Sequence, residues 1–309
     1  MIGRVTQQTT ARSTLANLQR NLSAMADLQN RLSGNTKITK PSDDPAGTAT
    51  AMALRAGLRA NKQASNNIDD GNGWLTTADD ALQSSLDVLR QARDLTVQGS
   101  NTGSLTPQAR DALASQIESL RQTMLGQANA TYQGRTVFAG TTDAGSAITV
   151  TPADPLIPGS TATYASTIVV GQSVTRRIDA NTSVRVDVDG SKAFGTQGSP
   201  TSSVFATLDR IAATLRSGGN PATELTALDG HRDAMLTELG SVGARQNEVL
   251  NAQDRAFATK TALTTQLSGI EDVDLAATVV ELQTQEVAYK AALGATARVL
   301  QPSLLDFLR

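Results

Sequence analysis

Residues 275–300, LAATVVELQTQEVAYKAALGATARVL, contain the most regular apolar pattern in the chain. Steps of four and three residues alternate along this segment without interruption, which places every marked position on one face of a helix. Glu286 and Thr296 are the two polar members. The apolar members are Leu275, Val279, Leu282, Tyr289, Leu293 and Leu300. An apolar stripe of this kind requires a partner surface.

The next segment, QPSLLDFLR at 301–309, continues the apolar character with Leu304 and Leu308. Chain ends are usually polar and tolerant of change, so this composition predicts a partner for the tail as well. Pro302 leaves open where the terminal helix ends.

A second stripe lies at the other end of the chain. Spaced by four and three residues, it consists of Ala11, Leu15, Leu18, Leu22 and Met25. Residues 1–40 carry a net charge of +5 and residues 270–309 a net charge of −3. Because flanking charges set partner choice in coiled coils, the two terminal helices are predicted to pair. Two interpretations stay open: an intramolecular bundle alone, or a pair that also packs against copies of the chain.

The middle of the chain is predicted to be helical except for one insert. Asp44 is placed to cap a helix that begins at Pro45, and Thr106 to cap one that begins at Pro107. Gly71 and Gly73 leave a helix break open. Residues 141–203 hold four of the nine prolines and the strand-like runs AITVT, STIVVG and SVRVDVDG.

The predicted fold is therefore mainly α with a β-rich insert: an elongated rod of long antiparallel helices whose terminal helices pair as a coiled coil. The predicted domains are a terminal assembly domain (1–40 plus 270–309), a helical rod (41–140 plus 204–269) and an outward β-rich domain (141–203).

Composition narrows the functional classes. The 309 residues include no cysteine, which removes disulfides, thiolate metal sites and Cys nucleophiles. A net charge of −2 gives no sign of a polyanion partner. No apolar segment has the length of a membrane span, and the first residues lack a secretory signal. By itself this composition favours a cytoplasmic location.

Candidate catalytic groups each have a simpler structural explanation. His231 is the only histidine, and DGHRDAM offers no nucleophile, so it is interpreted as a polar residue on a helix surface. Asp43 and Asp44 fit a turn and a helix cap, IEDVD at 270–274 lacks the spacing of a calcium loop, and DGNG at 70–73 lacks the lysine of a phosphate loop. The basic N-terminal arm lacks the aromatics of a nucleic-acid site. We expect no enzyme activity, cofactor, metal, nucleic acid or membrane insertion.

Five segments resemble the bacterial flagellin superfamily. They are LSGNTKITKPSDDPAGTATAMALR (32–55), LRQARDLTVQGSN (89–101), GRTVFAGT (134–141), VGARQNEV (242–249) and SGIEDVDLAATVVELQTQEVAYKAAL (268–293). Within the superfamily, KPSDDP and GRTVFAGT are more similar to hook-associated members of type 3 than to filament flagellins. Thr136 stands where that motif usually has an aromatic residue.

The resemblance implies a non-catalytic part of the flagellar axis that joins hook to filament, with filament flagellin as the alternative and a cytosolic coiled-coil adaptor as a remote one. It implies a ring of copies, contacts with a neighbouring hook-associated protein and flagellin, and a cytosolic export chaperone at the C-terminal helix. It also implies an extracellular location reached through the flagellar export apparatus without a cleaved signal. The residues expected to serve assembly are Leu15, Leu18, Leu22, Met25, Leu275, Val279, Leu282, Tyr289, Leu293, Leu300, Leu304 and Leu308.

Overall fold

The computed structural model describes residues 7–101, 105–142, 145–151, 162–167, 172–179, 181–198 and 202–299. Within these ranges the chain is mainly helical, as predicted. Its α-helices are α1 (Gln7–Gly34), α2 (Pro45–Gly99), α3 (Pro107–Ala128), α4 (Gly190–Phe194), α5 (Val204–Arg216), α6 (Leu225–Glu271) and α7 (Leu275–Val299). A 3-10 helix, Pro221–Glu224, precedes α6. None of the described helices is both long enough and apolar enough to cross a membrane.

The predicted helix starts are confirmed by their capping bonds. Asp44 accepts a hydrogen bond from the backbone N–H of Gly47 at 2.8 Å, directly before Pro45 at the start of α2. The Thr106 hydroxyl accepts one from Ala109 N–H at 3.2 Å, directly before Pro107. A capped proline start is stable because proline lacks one of the N–H groups that a helix start leaves unbonded.

The strands form three separate antiparallel ribbons in the described residues. They pair β1 (Thr131–Tyr132) with β2 (Arg135–Thr136), β3 (Ile148–Thr151) with β4 (Thr163–Ser166), and β5 (Thr175–Arg177) with β6 (Ser183–Arg185). Strands were predicted in AITVT and SVRVDVDG, where β3 and β6 occur. Most of STIVVG lies outside the described residues. The β1–β2 ribbon was not predicted from the sequence; its turn residues Gln133 and Gly134 both have positive φ.

The chain forms two compact units: Met1–Ala60 with Thr259–Arg309, and Asn61–Ala258. The three-part division expected from the sequence stays a prediction. The buried side chains of the β-rich insert, residues 141–203, belong to the hydrophobic core of the second unit. Ile148, Val184 and Phe194 share that core with Leu82 of α2 and Leu208 of α5.

Aromatic rings join the insert to the helices. The Phe194 ring meets the Phe138 ring edge-on, with centroids 5.2 Å apart, and stacks on the Phe205 ring at 6.0 Å. The Tyr164 ring also stacks on the Phe205 ring, with centroids 5.3 Å apart. Such contacts add specific geometry to the free energy of burial.

Hydrogen bonds between polar side chains also connect the insert to the helices. Arg121 of α3 donates to Asp209 of α5 at 2.5 Å and to the Tyr164 hydroxyl at 2.9 Å, and that hydroxyl donates to Asp209 at 2.6 Å. Burial, followed by the bond to Asp209, raises the pKa of Tyr164 well above its usual range, so the hydroxyl stays a donor. Asn129, just after α3, bonds the backbone of Ala147 and Ile148 through its amide group.

Helix α2 continues through Gly71 and Gly73 without a break. A Cβ at Gly73 would lie 2.5 Å from the Tyr132 hydroxyl, and one at Gly71 would lie 3.2 Å from a Val186 methyl group. These glycines therefore let the β-rich segment approach the helix backbone closely, and tertiary packing outweighs their low helix propensity.

Two glycine substitutions should change stability in opposite directions. At Gly195, φ is +81° and a Cβ would overlap the Ser202 carbonyl oxygen, so Gly195→Ala should destabilise the chain by more than about 1 kcal/mol. At Gly240, inside α6, a Cβ would meet nothing within 4 Å, so Gly240→Ala should stabilise it by about 0.4–1 kcal/mol. Chemical denaturation of both variants measures the two changes. Equal effects of the same sign would contradict the prediction.

Candidate assembly surface

The terminal helices α1 and α7 pack against each other in the first unit, as predicted. Their buried or half-buried positions recur at helical spacing. On α1 they include Thr14, Leu18, Asn21, Met25, Leu28 and Leu32, and on α7 they include Thr278, Leu282, Gln285, Tyr289, Ala292 and Thr296. The covered faces are therefore largely polar on α7 and mixed on α1. A long hydrogen bond of 3.5 Å runs from the Gln285 amide to the Asn21 carbonyl oxygen.

Large apolar side chains lie on the uncovered faces of the same helices. On α1, Leu15 is 59% exposed and Leu22 is 49% exposed. On α7 the exposed fraction ranges from 40% to 66%, for Leu275, Val279, Val280, Val287 and Leu293. We call these seven residues the outer apolar face. Apolar side chains exposed in neighbouring positions are typical of interaction sites.

The predicted stripes are thus divided between two surfaces. Leu18, Met25, Leu282 and Tyr289 are half-buried in the α1–α7 pair, whereas Leu15, Leu22, Leu275, Val279 and Leu293 belong to the outer apolar face. Leu300, Leu304, Leu308 and Pro302 lie outside the described residues. The assembly role of these positions stays a prediction. The sequence pattern did not indicate that polar residues such as Asn21, Thr278 and Gln285 would be covered as well.

The complementary net charges of the two ends are not matched by ion pairs between the described parts of these helices. Among the side chains described on α1 and α7, no salt bridge crosses from one helix to the other.

A tight turn precedes α2 in the KPSDDP segment. One carboxylate oxygen of Asp43 accepts hydrogen bonds from the Thr39 hydroxyl at 2.8 Å, Lys40 N–H at 3.0 Å and Thr39 N–H at 3.2 Å. These bonds, the one from the Thr39 hydroxyl first, lower the pKa of Asp43 from its ordinary value of 3.8. Asp43 therefore closes the turn and Asp44 caps the helix, as interpreted from the sequence.

The break between α6 and α7 is tied to the segment that follows α1. Lys37 N–H donates to the Glu271 carbonyl at 2.6 Å, and Thr36 forms a single antiparallel bridge with Asp272. Arg55 of α2 forms a salt bridge with Glu271 at 2.7 Å. Asp274 then accepts from Ala277 N–H at 3.1 Å at the start of α7. The acidic run IEDVD thus makes structural contacts at two helix ends.

His231 was interpreted from the sequence as a polar residue on a helix surface. It is half-buried on α6, with its Nε2 atom 3.3 Å from the Thr207 hydroxyl oxygen. Burial, followed by the positive charge of Arg210, lowers the pKa of His231 from its ordinary value of 6.5. The sequence could not indicate this burial because α5, which covers the histidine, is 15 residues or more away along the chain. Within the described residues, no three His, Asp or Glu side chains are grouped to hold a metal ion.

Known structures share the fold. A flagellar hook-associated protein from Vibrio parahaemolyticus superposes with a TM-score of 0.64 at 20% identity, covering 74% of this chain and 100% of that chain. Hook-associated protein 3 from Legionella pneumophila gives a TM-score of 0.59 at 13% identity, covering 71% of this chain and 98% of that one.

Sequence relatives span nearly the whole chain. Flagellin from Bacillus subtilis is 26% identical over 99% of this chain and 100% of its own length. Flagellar hook-associated protein 3 from Escherichia coli is 25% identical over 86% of this chain and 87% of its own length.

Family models match both helical ends. The bacterial flagellin N-terminal helical region matches residues 5–143, and the bacterial flagellin C-terminal helical region matches residues 225–308. Together the two regions make up well over half of the chain and include both helices of the candidate assembly surface. The chain therefore belongs to the bacterial flagellin family.

Proposed function

We propose that this chain is a structural component of the bacterial flagellum, a hook-associated protein that joins hook to filament. It assembles as a ring of copies through the outer apolar face of α1 and α7. The residues proposed to serve assembly are the twelve predicted from the sequence, together with Val280 and Val287. The resemblance of KPSDDP and GRTVFAGT to hook-associated members supports the junction role.

The observation that carries this proposal is that the α1–α7 pair covers polar side chains while it leaves large apolar ones exposed. Thr278 is covered at 6% exposure, while Val280 and Val287 on the opposite side of the same helix are 62% and 66% exposed. Burying one Val or Leu side chain contributes about 1.5–3 kcal/mol. A pair that leaves seven such residues outside gains more from covering them with neighbours than from its own contact.

The distribution of polar residues differs between α1 and α7, which favours different positions for them in the ring. Helix α7 has apolar residues on every side, with Val280 and Val287 opposite Leu282 and Tyr289, and helices of this kind are usually surrounded. Helix α1 has one polar side, which includes Arg12, Arg20 and Ser23. We infer that α7 lies inside the ring with neighbours on several sides and that α1 lies outside it.

Further partners follow from the proposed role. A neighbouring hook-associated protein and flagellin contact the ring above and below, and a small cytosolic chaperone holds the C-terminal helix before export. The protein then acts outside the cell as part of the flagellum, without catalysis. A chaperone bound to the apolar α7 would also prevent premature association.

Filament flagellin is the second candidate. It is favoured by the relative from Bacillus subtilis, which aligns over 100% of its own length. The two functions differ in copy number, since a junction requires a few subunits per flagellum and a filament requires thousands.

Deleting the gene and imaging the cells tests the proposal. A junction protein predicts hooks without filaments and flagellin released into the medium, and both defects should be restored by the wild-type gene. Normal filaments in the deletion strain would contradict the proposal. Loss of filaments with no flagellin in the medium would favour the filament function instead.

A further inference from the structure

The half-buried His231 lies where three elements of the second unit meet. Helix α5 contributes Thr207 and Arg210, the 3-10 helix contributes Glu224, and α6 carries the histidine. Thr207 is fully buried. We call these four residues the His231 corner. They take no part in the proposed assembly surface, which lies in the other unit.

Hydrogen bonding in the corner fits a neutral histidine. The Thr207 hydroxyl donates to the Ser203 carbonyl at 3.0 Å, so its oxygen is left as an acceptor. Arg210 donates to that oxygen at 3.1 Å, and His231 Nε2 lies 3.3 Å from it. The neutral tautomer with its proton on Nε2 satisfies this contact, so the contact does not need a second ring proton.

The charges around the corner are already balanced. Glu224 neutralises Arg210 through two bonds, at 3.2 Å and 2.7 Å. On α6 itself, Asp229 pairs with Arg93 of α2 at 3.0 Å and with Arg232 at 3.3 Å, and Arg232 also pairs with Asp233 at 3.0 Å. No described carboxylate near His231 is thus left to neutralise a second cation.

The environment of Arg210 disfavours a second positive charge in the His231 corner. The Nη1 atom of Arg210 is buried and has no hydrogen-bond partner among the described residues. A protonated His231 would place another positive charge beside this guanidinium in a partly desolvated site. Like charges at short range destabilise each other most where water is excluded.

We propose that the His231 corner is an acid-sensitive latch, in which protonation of His231 loosens the packing of α6 against α5 and the 3-10 helix. The latch is closed at neutral pH and weakens reversibly in mild acid. Because α5 also packs against α3, loosening it would weaken the second unit as a whole.

The direction of the pH effect follows from linkage. The folded-state pKa of His231 is lowered, so the unfolded chain binds the proton more readily than the folded chain. The stability contribution is complete above the unfolded pKa of 6.5 and decreases as pH falls toward the folded pKa. The unfolding equilibrium constant can rise by at most about tenfold per pH unit from one such group.

The test is denaturant unfolding of the full chain at pH 7.5, 6.5 and 5.5, followed by the fluorescence of the single tryptophan, Trp74. Wild type should lose stability across this range. His231→Gln supplies an amide N–H donor but cannot titrate, so its stability should change much less with pH. A matched control is Asn247→His in the His231→Gln background, which restores one histidine at an exposed position and should not restore the pH dependence.

Because this is the only histidine, its ring protons titrate as one resolved signal by NMR in wild type, even if a variant fails to fold. A midpoint below 6.5, with faster amide exchange in 204–216 at pH 5.5 than at 7.5 after correction for intrinsic rates, supports the latch. A midpoint at or above 6.5 would overturn it. So would equal pH dependence in wild type and His231→Gln.

Discussion

Leu15→Asp combined with Leu22→Asp is expected to abolish assembly of the protein while leaving the folding of its second unit unchanged. Both leucines belong to the outer apolar face and are about half exposed in the isolated chain, so replacing them removes little packing. In a ring, each loses about 1.5–3 kcal/mol of burial in every subunit, which for the pair weakens each contact by more than about 100-fold. Thermal melting of the purified variant measures folding, whereas sedimentation and cell motility measure assembly.

Ala16→Asp combined with Ser23→Asp provides the matched control. These residues are the next neighbours along α1, are exposed, and have the same seven-residue separation. They lie about 100° further around the helix, toward its polar side. The control carries the same added charge and should still assemble. If assembly of the control is lost to the same extent as in the leucine variant, the added charge alone explains the loss, and the outer apolar face is not the assembly surface.

Phe194→Ala should have the largest effect on folding, lowering the free energy of unfolding by about 3–5 kcal/mol. Phe194 is fully buried between the rings of Phe138 and Phe205, so truncation leaves a cavity that rigid neighbours cannot fill. The unfolding transitions followed by Trp74 fluorescence and by helical circular dichroism should shift by the same amount, because the insert and the helices share one core.

Val150→Ala is the control within the insert. Val150 is 37% exposed on β3, and its truncation should change the free energy of unfolding by less than about 0.5 kcal/mol. The pair of variants also tests the domain division expected from the sequence. If Phe194→Ala leaves the helical transition in place, residues 141–203 fold as a separate outward domain, and the shared core is not essential to the helices.

In the middle of the chain, several structural features could not be predicted from local sequence patterns. Gly71 and Gly73 have low helix propensity, yet α2 passes through both, and the missing Cβ atoms leave the space that Tyr132 and Val186 occupy. The β1–β2 ribbon depends on a non-glycine residue, Gln133, with positive φ, which no local pattern indicates. His231 is covered by a helix that lies elsewhere in the sequence. Each outcome depends on contacts between distant segments.

Elements with local causes could be predicted from the amino-acid sequence. Helix starts at Pro45 and Pro107 follow from capping residues within three positions, and the helical character of both ends follows from steps of three and four residues. The sequence also predicted that apolar stripes run along α1 and α7. Which side of each stripe is covered depends on how the two helices pack. The α1–α7 pair encloses Asn21, Thr278 and Gln285 and leaves Leu15, Leu22 and Leu293 outside, because two single helices can cover only one narrow strip of each other.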